Sequence, residues 1–81
     1  MNRISQAVFI EAVKKILVDL LGHEQMYAIT ALYIKDDTLF IQCANSVLVQ
    51  EVTMLKPRII EELNAALESG TVPFKKIQVT S

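Results

Sequence analysis

The sequence predicts a two-layer α+β fold, in which two helices cover one face of a three-stranded antiparallel sheet. Apolar residues recur with helical spacing in two long segments, and β-branched and aromatic residues are concentrated in three short ones. The resulting order is helix, strand, strand, helix, strand. With 81 residues, 52% of them hydrophobic, the chain is long enough for one domain, predicted to span residues 1–81.

The first helix is predicted from about Ser5 to Leu21 because apolar residues recur on one helical face, with Gly22 as a stop signal. These residues are Phe9, Val13, Ile16 and Leu20. A hairpin is then predicted, with strands over Tyr27–Ile34 and Leu39–Ala44. The polar residues between the two strands form its turn, although glycine is missing there.

Asn45 and Ser46 can each cap the second helix, whose apolar stripe continues to Ala66. The stripe stays in phase across Pro57, which favours one long helix that is kinked or broken there. In the alternative, the chain forms two separate helices and has the six-element order of a type II KH-like domain. Ser69 and Gly70 end the helix.

The third strand is predicted over Val72–Thr80, with Pro73 suited to an edge position. If this strand lies beside strand one, all neighbouring strands are antiparallel. The predicted strand order is therefore two-one-three, with both helices on one face.

A turn centred on Asp36 and Asp37 sets which side chains share a face, because successive residues of a strand point to opposite sides. It pairs Ile34 with Leu39, Tyr33 with Phe40, and Leu32 with Ile41. The predicted helix-covered side of the sheet, here the inner face, holds Ala28, Thr30, Leu32, Ile34, Leu39, Ile41, Cys43, Ile77 and Val79. The helix-free side, the outer face, holds Tyr27, Ile29, Ala31, Tyr33, Phe40, Gln42, Ala44, Phe74, Lys76 and Gln78.

An exposed apolar patch of this kind is typical of an interaction surface. We therefore expect a protein partner to bind the outer face, through Tyr27, Tyr33, Phe40, Gln42, Phe74 and Lys76. In the alternative, the register is shifted by one residue, which would exchange the two faces and bury the rings.

Catalytic and cofactor signatures are missing from the sequence. Two isolated glycines cannot form a dinucleotide-binding loop, a P-loop or the G-x-x-G loop of KH domains. His23 is the only histidine, and Cys43 is the only cysteine and is predicted to be buried. We therefore expect no catalytic residue, no metal site, no cofactor and no enzymatic activity.

The formal net charge of −1 argues against a dedicated nucleic-acid binder. Lys56, Arg58, Lys75 and Lys76 nevertheless leave a weak case for contact with a single strand. The sequence shows no signal peptide or membrane span, and its single cysteine is compatible with a reducing compartment. We therefore expect a cytoplasmic location without membrane contact.

From about Gly22 onward, the chain resembles the DciA-like family, a bacterial family formerly described as a domain of unknown function. The motifs that carry this resemblance are Gly22, Thr30-Ala31-Leu32-Tyr33-Ile34, Leu39-Phe40-Ile41, Asn45-Ser46, Gln50-Glu51-Val52, Leu63-Asn64-Ala65-Ala66-Leu67 and Ile77-Gln78-Val79. The resemblance implies a KH-like fold and a role in DNA replication, as an adaptor that binds the replicative DNA helicase and helps to load it.

Three hypotheses about function follow from the sequence. The first is a non-enzymatic adaptor for a protein partner, with the replicative helicase as the partner that the resemblance implies. The second is a small module that binds single-stranded nucleic acid. The third is a homodimer whose sheets pack face to face through Tyr33, Phe40 and Phe74.

Overall fold

A computed structural model of the chain describes residues 6–66 and 74–81. Ser5, the helix stop at Ser69 and Gly70, and the first two residues of the predicted third strand, Val72 and Pro73, lie outside the described residues. The elements in chain order are α1 (Gln6–Leu21), α2 (His23–Met26), β1 (Ile29–Lys35), β2 (Thr38–Cys43), α3 (Ser46–Met54), α4 (Lys56–Ala66) and β3 (Lys76–Thr80). The fold is therefore α+β, as predicted.

Helix α1 follows its predicted apolar stripe, and Phe9, Val13 and Leu17 are buried in the core. It ends at Leu21, and the Gly22 amide donates a hydrogen bond of 2.7 Å to the Val18 carbonyl. Gly22 has a φ of 92°, which residues with a Cβ rarely adopt. The predicted stop signal is confirmed, and the short helix α2, which the sequence did not predict, follows at once.

The hairpin has the predicted register, with Ile34 opposite Leu39, Tyr33 opposite Phe40 and Leu32 opposite Ile41. Its turn residues, Asp36 and Asp37, have φ values of 51° and 62°. Positive φ at both central residues is typical of a type I′ turn, whose twist matches that of the two strands. Aspartate tolerates this region better than most residues, so the turn forms without glycine.

At the start of β1, before this regular part, a β-bulge places two residues on the opposite faces from those predicted. The register shifts between Ile29 and Ala31, so that Ile29 lies opposite Cys43 and packs against the core, and Thr30 is exposed. The predicted faces of Ile29 and Thr30 are therefore wrong. An extra residue in one strand inverts the inside-outside alternation beyond it, and nothing in the local sequence marks its position.

The long second helix is broken rather than kinked. Helices α3 and α4 meet at Leu55, whose amide bonds to the carbonyls of Glu51 and Val52. Pro57 lies in the first turn of α4, where the amide hydrogen that proline lacks would have no intrahelical partner. The alternative with two separate helices is therefore the correct one.

The sheet is mixed, and its order is β1-β2-β3. Strand β1 is antiparallel to β2, but β3 is parallel to β2, so the predicted order two-one-three and the fully antiparallel sheet are wrong. The two helices return the chain to the start of β2, which makes them a crossover connection between parallel neighbours. The inner residues Leu39 and Ile41 have no exposed surface, as expected of a central strand.

The core lies between the inner face of the sheet and helices α1, α3 and α4. Its buried residues from the sheet and helices are Phe9, Val13, Ile16, Leu17, Leu39, Ile41, Cys43, Leu48, Val52, Ile59, Leu63 and Ile77. Leu32 and Ile34 are only partly buried, because β1 is an edge strand. This arrangement confirms the predicted helix-covered face and excludes the register shifted by one residue.

Phe74 contradicts its predicted position on the outer face. It is 5% exposed and contacts Phe9 edge to face, with ring centroids 5.5 Å apart and an interplanar angle of 66°. It precedes the first residue of β3, so strand alternation does not determine where its ring points. Phe74 is a core residue and is removed from the candidate binding surface.

Candidate partner-binding surface

Two aromatic rings stack on the outer face of the sheet, which none of the described helices covers. The rings of Tyr33 and Phe40 lie 5.0 Å apart between centroids and are inclined by 16°. The tyrosine is 43% exposed, and Phe40 is partly buried. They are brought together because they are cross-strand partners in β1 and β2. This pair is the centre of the surface that the sequence predicted.

Two lysines form a row beside the ring pair. Thr38 of β2 lies between Lys35 on β1 and Lys76 on β3, and both lysines are exposed. Lys76 was predicted at this surface, but Lys35 was assigned to the turn and missed. Continuing the alternation from Tyr33 by two residues would have placed Lys35 on the outer face.

The other end of the outer face is polar. Gln42 is exposed, as predicted, and pairs with Ala31 on β1 and Thr80 on β3. Gln78 is also exposed and lies beside Phe40. Along the strands, the outer face therefore begins with the two lysines, continues with the two aromatic rings, and ends with side-chain amides and the Thr80 hydroxyl.

Tyr27 is 90% exposed but does not belong to the sheet. It lies in the turn between α2 and β1, two residues before the strand begins. Its exposure agrees with the prediction, whereas its assignment to the outer face of a strand does not. The predicted surface therefore retains four of its residues on the sheet: Tyr33, Phe40, Gln42 and Lys76.

The four basic residues proposed for nucleic-acid contact separate into two pairs. Lys56 and Arg58 begin α4, next to Leu55, which lines a groove with Leu20 at the end of α1. Lys75 and Lys76 instead follow Phe74, which contacts Phe9 near the start of α1. Phe9 and Leu20 lie about 16 Å apart along the helix axis. The structure therefore does not unite the four charges in one patch.

Arg58 also has an acidic neighbour. Its Nε lies 3.4 Å from a carboxylate oxygen of Glu62, one helical turn further along α4. Both side chains are exposed, so the pair stabilises the fold only slightly. The carboxylate nevertheless offsets the positive charge that the sequence offered for phosphate contact.

The two residues with the greatest potential for catalysis lie apart from this surface. Burial raises the pKa of the Cys43 thiol above its ordinary value, which disfavours the reactive thiolate. His23 is exposed on α2. Within residues 6–66 and 74–81, no three histidine, cysteine or acidic side chains are grouped so that they could hold a metal ion.

A second apolar surface was not predicted. Leu20 and Leu21 of α1 line an open groove with Met54 and Leu55, and Gln25 and Glu51 form its polar rim. Met54 is 80% exposed, although it lies within an apolar stretch of the sequence. It follows buried Val52 by two residues, about 200° around α3, so the helical periodicity already places it on the exposed side.

No helix in the described part of the chain is long and apolar enough to cross a membrane.

Comparison with models of known families shows which family the chain belongs to. The family model described as "Dna[CI] antecedent, DciA" matches residues 2–79. The chain belongs to the DciA family. The match confirms the resemblance carried by the sequence motifs, and it extends over the described α1 as well as the hairpin, α3, α4 and β3. No curated protein and no solved structure matches this DciA-family chain.

Proposed function

We propose that this DciA-family chain is a non-enzymatic adaptor that binds a protein partner through the outer face of its sheet. The observation that carries the proposal is the stacked pair of Tyr33 and Phe40 on the side that the described helices leave uncovered. Large, rigid rings lose little conformational entropy on binding and are enriched at the energetic centres of protein interfaces. The polar and charged residues around the pair suit the rim of such an interface.

Family membership supports the replicative DNA helicase as the partner, because the DciA family is linked to helicase loading in DNA replication. The adaptor would then act in the cytoplasm, without membrane contact. The proposal includes no cofactor and no catalysis. It treats residues 1–81 as one binding domain, because α1, α3, α4 and the sheet share one core.

We also propose that the fold is KH-like, with the element order of the type II form apart from the additional short helix α2. The two helices between β2 and β3 and the parallel pairing of those strands support this comparison. The α3–α4 junction has the sequence Met54-Leu55-Lys56-Pro57, which contains no glycine and therefore cannot form a G-x-x-G clamp. The proposed KH-like scaffold therefore has no such nucleic-acid clamp at this junction.

The test replaces both rings, as Tyr33→Ser with Phe40→Ser, and measures binding to the purified replicative helicase of the same organism. We expect affinity to fall at least tenfold, because truncation of central aromatic residues removes most of the binding energy at an interface. Thermal unfolding of the double variant should remain cooperative, since Tyr33 is exposed and Phe40 is not fully buried.

Val47→Ser is the matched control. Val47 is exposed on α3, in the helical layer on the opposite side of the sheet, and its replacement also removes apolar surface. It should leave helicase affinity unchanged. If the natural protein does not bind the helicase, the partner is wrong; if the double variant binds as well as the natural protein, the surface is wrong.

Single-stranded nucleic acid is a second candidate ligand, favoured by the lysine row beside the rings. Lys35 and Lys76 flank Thr38 next to Phe40, so backbone phosphates and stacked bases could be held together. Binding of labelled single strands should be measured at about 50 mM salt, where electrostatic attraction is strong. Lys35→Ala with Lys76→Ala should abolish it, whereas Lys56→Ala with Arg58→Ala should not.

The predicted face-to-face homodimer loses one of its three contact residues. It depended on three rings, and Phe74 lies in the core against Phe9.

A further inference from the structure

Strand β1 has one edge that no strand of the described residues covers. The sheet order is β1-β2-β3, and β1 pairs only with β2. The regular part of β1 is the stretch from Ala31 to Lys35, which begins beyond the bulge and ends at the turn. An unpaired edge exposes backbone donors and acceptors that can pair with another strand.

The hairpin turn determines which residues direct their backbone groups to this edge. In a two-residue turn, Lys35 and Thr38 form the hydrogen-bonded pair that closes it. Hydrogen-bonded and non-hydrogen-bonded pairs then alternate, so Tyr33 bonds to Phe40. The amide and carbonyl groups of Leu32 and Ile34 consequently point away from β2, towards solvent.

We propose that two copies of the chain pair antiparallel through β1, about a twofold axis at Tyr33, to form one six-stranded sheet. Leu32 of each copy then lies opposite Ile34 of the other. At each of these two pairs, the outward amide and carbonyl groups of both residues form hydrogen bonds across the interface. The stretch from Ala31 to Lys35 is centred on Tyr33, so one register uses all of it. This inference is independent of the proposed helicase partner.

The outer face favours this register. On the twofold axis, the two Tyr33 residues form a non-hydrogen-bonded pair, in which side chains approach most closely. Each tyrosine already stacks on Phe40 of its own chain. The dimer would therefore carry a row of four rings across its centre, which extends the aromatic surface of each copy.

The inner face offers space for the partner's side chains. An open cavity of about 300 Å³ lies beside the β1 edge, between the strand and α1. Ile10, Met26 and Leu32 contribute apolar walls. Ile34 of the second copy, lying opposite Leu32, would enter this space. It is only partly buried in its own chain, and this contact would remove more of its apolar surface from water.

The directly paired residues carry no opposing charges. In this register, Lys35 lies opposite Ala31 of the other copy, so no like charges face each other across the twofold axis. The bulge at Thr30 and the turn at Asp36 end the paired stretch on either side. A five-residue edge is a small interface, and we therefore expect a dissociation constant on the order of 10–100 µM.

The decisive experiment places charge on the twofold axis. Tyr33→Lys and Tyr33→Glu should each be monomeric by sedimentation equilibrium at about 500 µM, because like charges directly opposite one another in a sheet repel. An equimolar mixture of the two variants should recover the dimer, because the opposite charges then face each other. A merely misfolded variant would not be rescued by its counterpart, and circular dichroism of each variant checks the fold.

A cross-link tests the register. The Cα atoms of a non-hydrogen-bonded pair lie about 4.5 Å apart, within the range that a disulfide spans. Tyr33→Cys should therefore form a covalent dimer under mild oxidation. Gln42 is also exposed on the outer face but lies on the central strand, so Gln42→Cys should remain monomeric.

A natural chain that remains monomeric at about 500 µM, well above the expected constant, would overturn the proposal. So would a Tyr33→Lys variant that dimerises as well as the natural chain. Phe40→Ser separates this inference from the proposed function, because Phe40 lies on β2 and takes no part in edge pairing. That variant should lose helicase affinity and still dimerise.

Discussion

Cys43 shows how position determines the chemistry of a single residue. It lies on the inner face of β2 and is 3% exposed, and burial raises the pKa of its thiol. The unfolded chain exposes the same thiol to water, where it ionises at a lower pH. The folded state therefore binds this proton more tightly than the unfolded state does.

We expect this thiol to make stability depend on pH above neutrality. Its full contribution is present below the ordinary thiol pKa and declines as pH rises through the higher pKa of the folded state. Urea unfolding from pH 7 to 10 should show the natural chain losing more stability than Cys43→Ala. Parallel pH profiles for the two proteins would contradict the prediction.

The outer-face residues differ in how well local sequence predicts them. Tyr33, Phe40 and Gln42 alternate with buried residues in a regular hairpin, so their face follows from the position of the turn. Tyr27 lies just outside the strand, where alternation gives no information. Lys35 was missed because its charge and its position beside two aspartates suggested a turn residue.

At the scale of the elements, the β1–β2 turn combines a favourable geometry with an unfavourable residue. Asp37 has a φ of 62°, a region in which residues with a Cβ are strained. We expect Asp37→Gly to raise the free energy of unfolding by about 0.5–1 kcal/mol, because glycine adopts this conformation without steric cost.

Asp37→Ala provides the opposing control at the same position. Alanine tolerates positive φ less well than aspartate, so this variant should be less stable than the natural chain. Chemical denaturation of the three proteins measures the order. A glycine variant less stable than the alanine variant would show that the turn does not have this geometry in solution.

The start of α3 allows a similar comparison of neighbours. The sequence predicted either Asn45 or Ser46 as the cap. In the structure the cap is Asn45, whose Oδ1 accepts a hydrogen bond of 2.8 Å from the Leu48 amide. Asn45→Ala should cost about 1 kcal/mol of stability, and Ser46→Ala should cost less. Equal losses in urea unfolding would mean that the two residues share the cap.

At the scale of the whole molecule, the contact between Phe9 and Phe74 joins distant parts of the chain. It connects the beginning of α1 to the approach to β3, which is itself paired with the central strand. The ring that the sequence assigned to the binding surface therefore helps to hold the helical layer on the sheet.

Phe74→Ala should consequently destabilise the fold by about 3–5 kcal/mol, the usual cost of truncating a buried phenylalanine. Phe40→Ala, at a partly buried position, should cost clearly less while weakening partner binding. Thermal unfolding and helicase binding of both variants would separate the two roles. The reverse order of stabilities would place Phe74 on the surface after all.

Local sequence patterns predicted most of the elements and most of the hairpin. Helical spacing identified α1 and the apolar stripe of α3 and α4, and the turn residues set the register that gives the inner and outer faces of residues 31–43. These features depend on residues close together in the chain. Their side-chain periodicity and backbone preferences act locally, so they can be read without knowing the rest of the fold.

The strand order, the bulge at Thr30 and the position of Phe74 depend on the tertiary structure. A third strand could pair with either free edge of the hairpin, and the choice depends on how α3 and α4 cross the sheet and fill the core. Such contacts join residues far apart in the chain. Their energies depend on the fit of whole layers, which no short stretch of sequence contains.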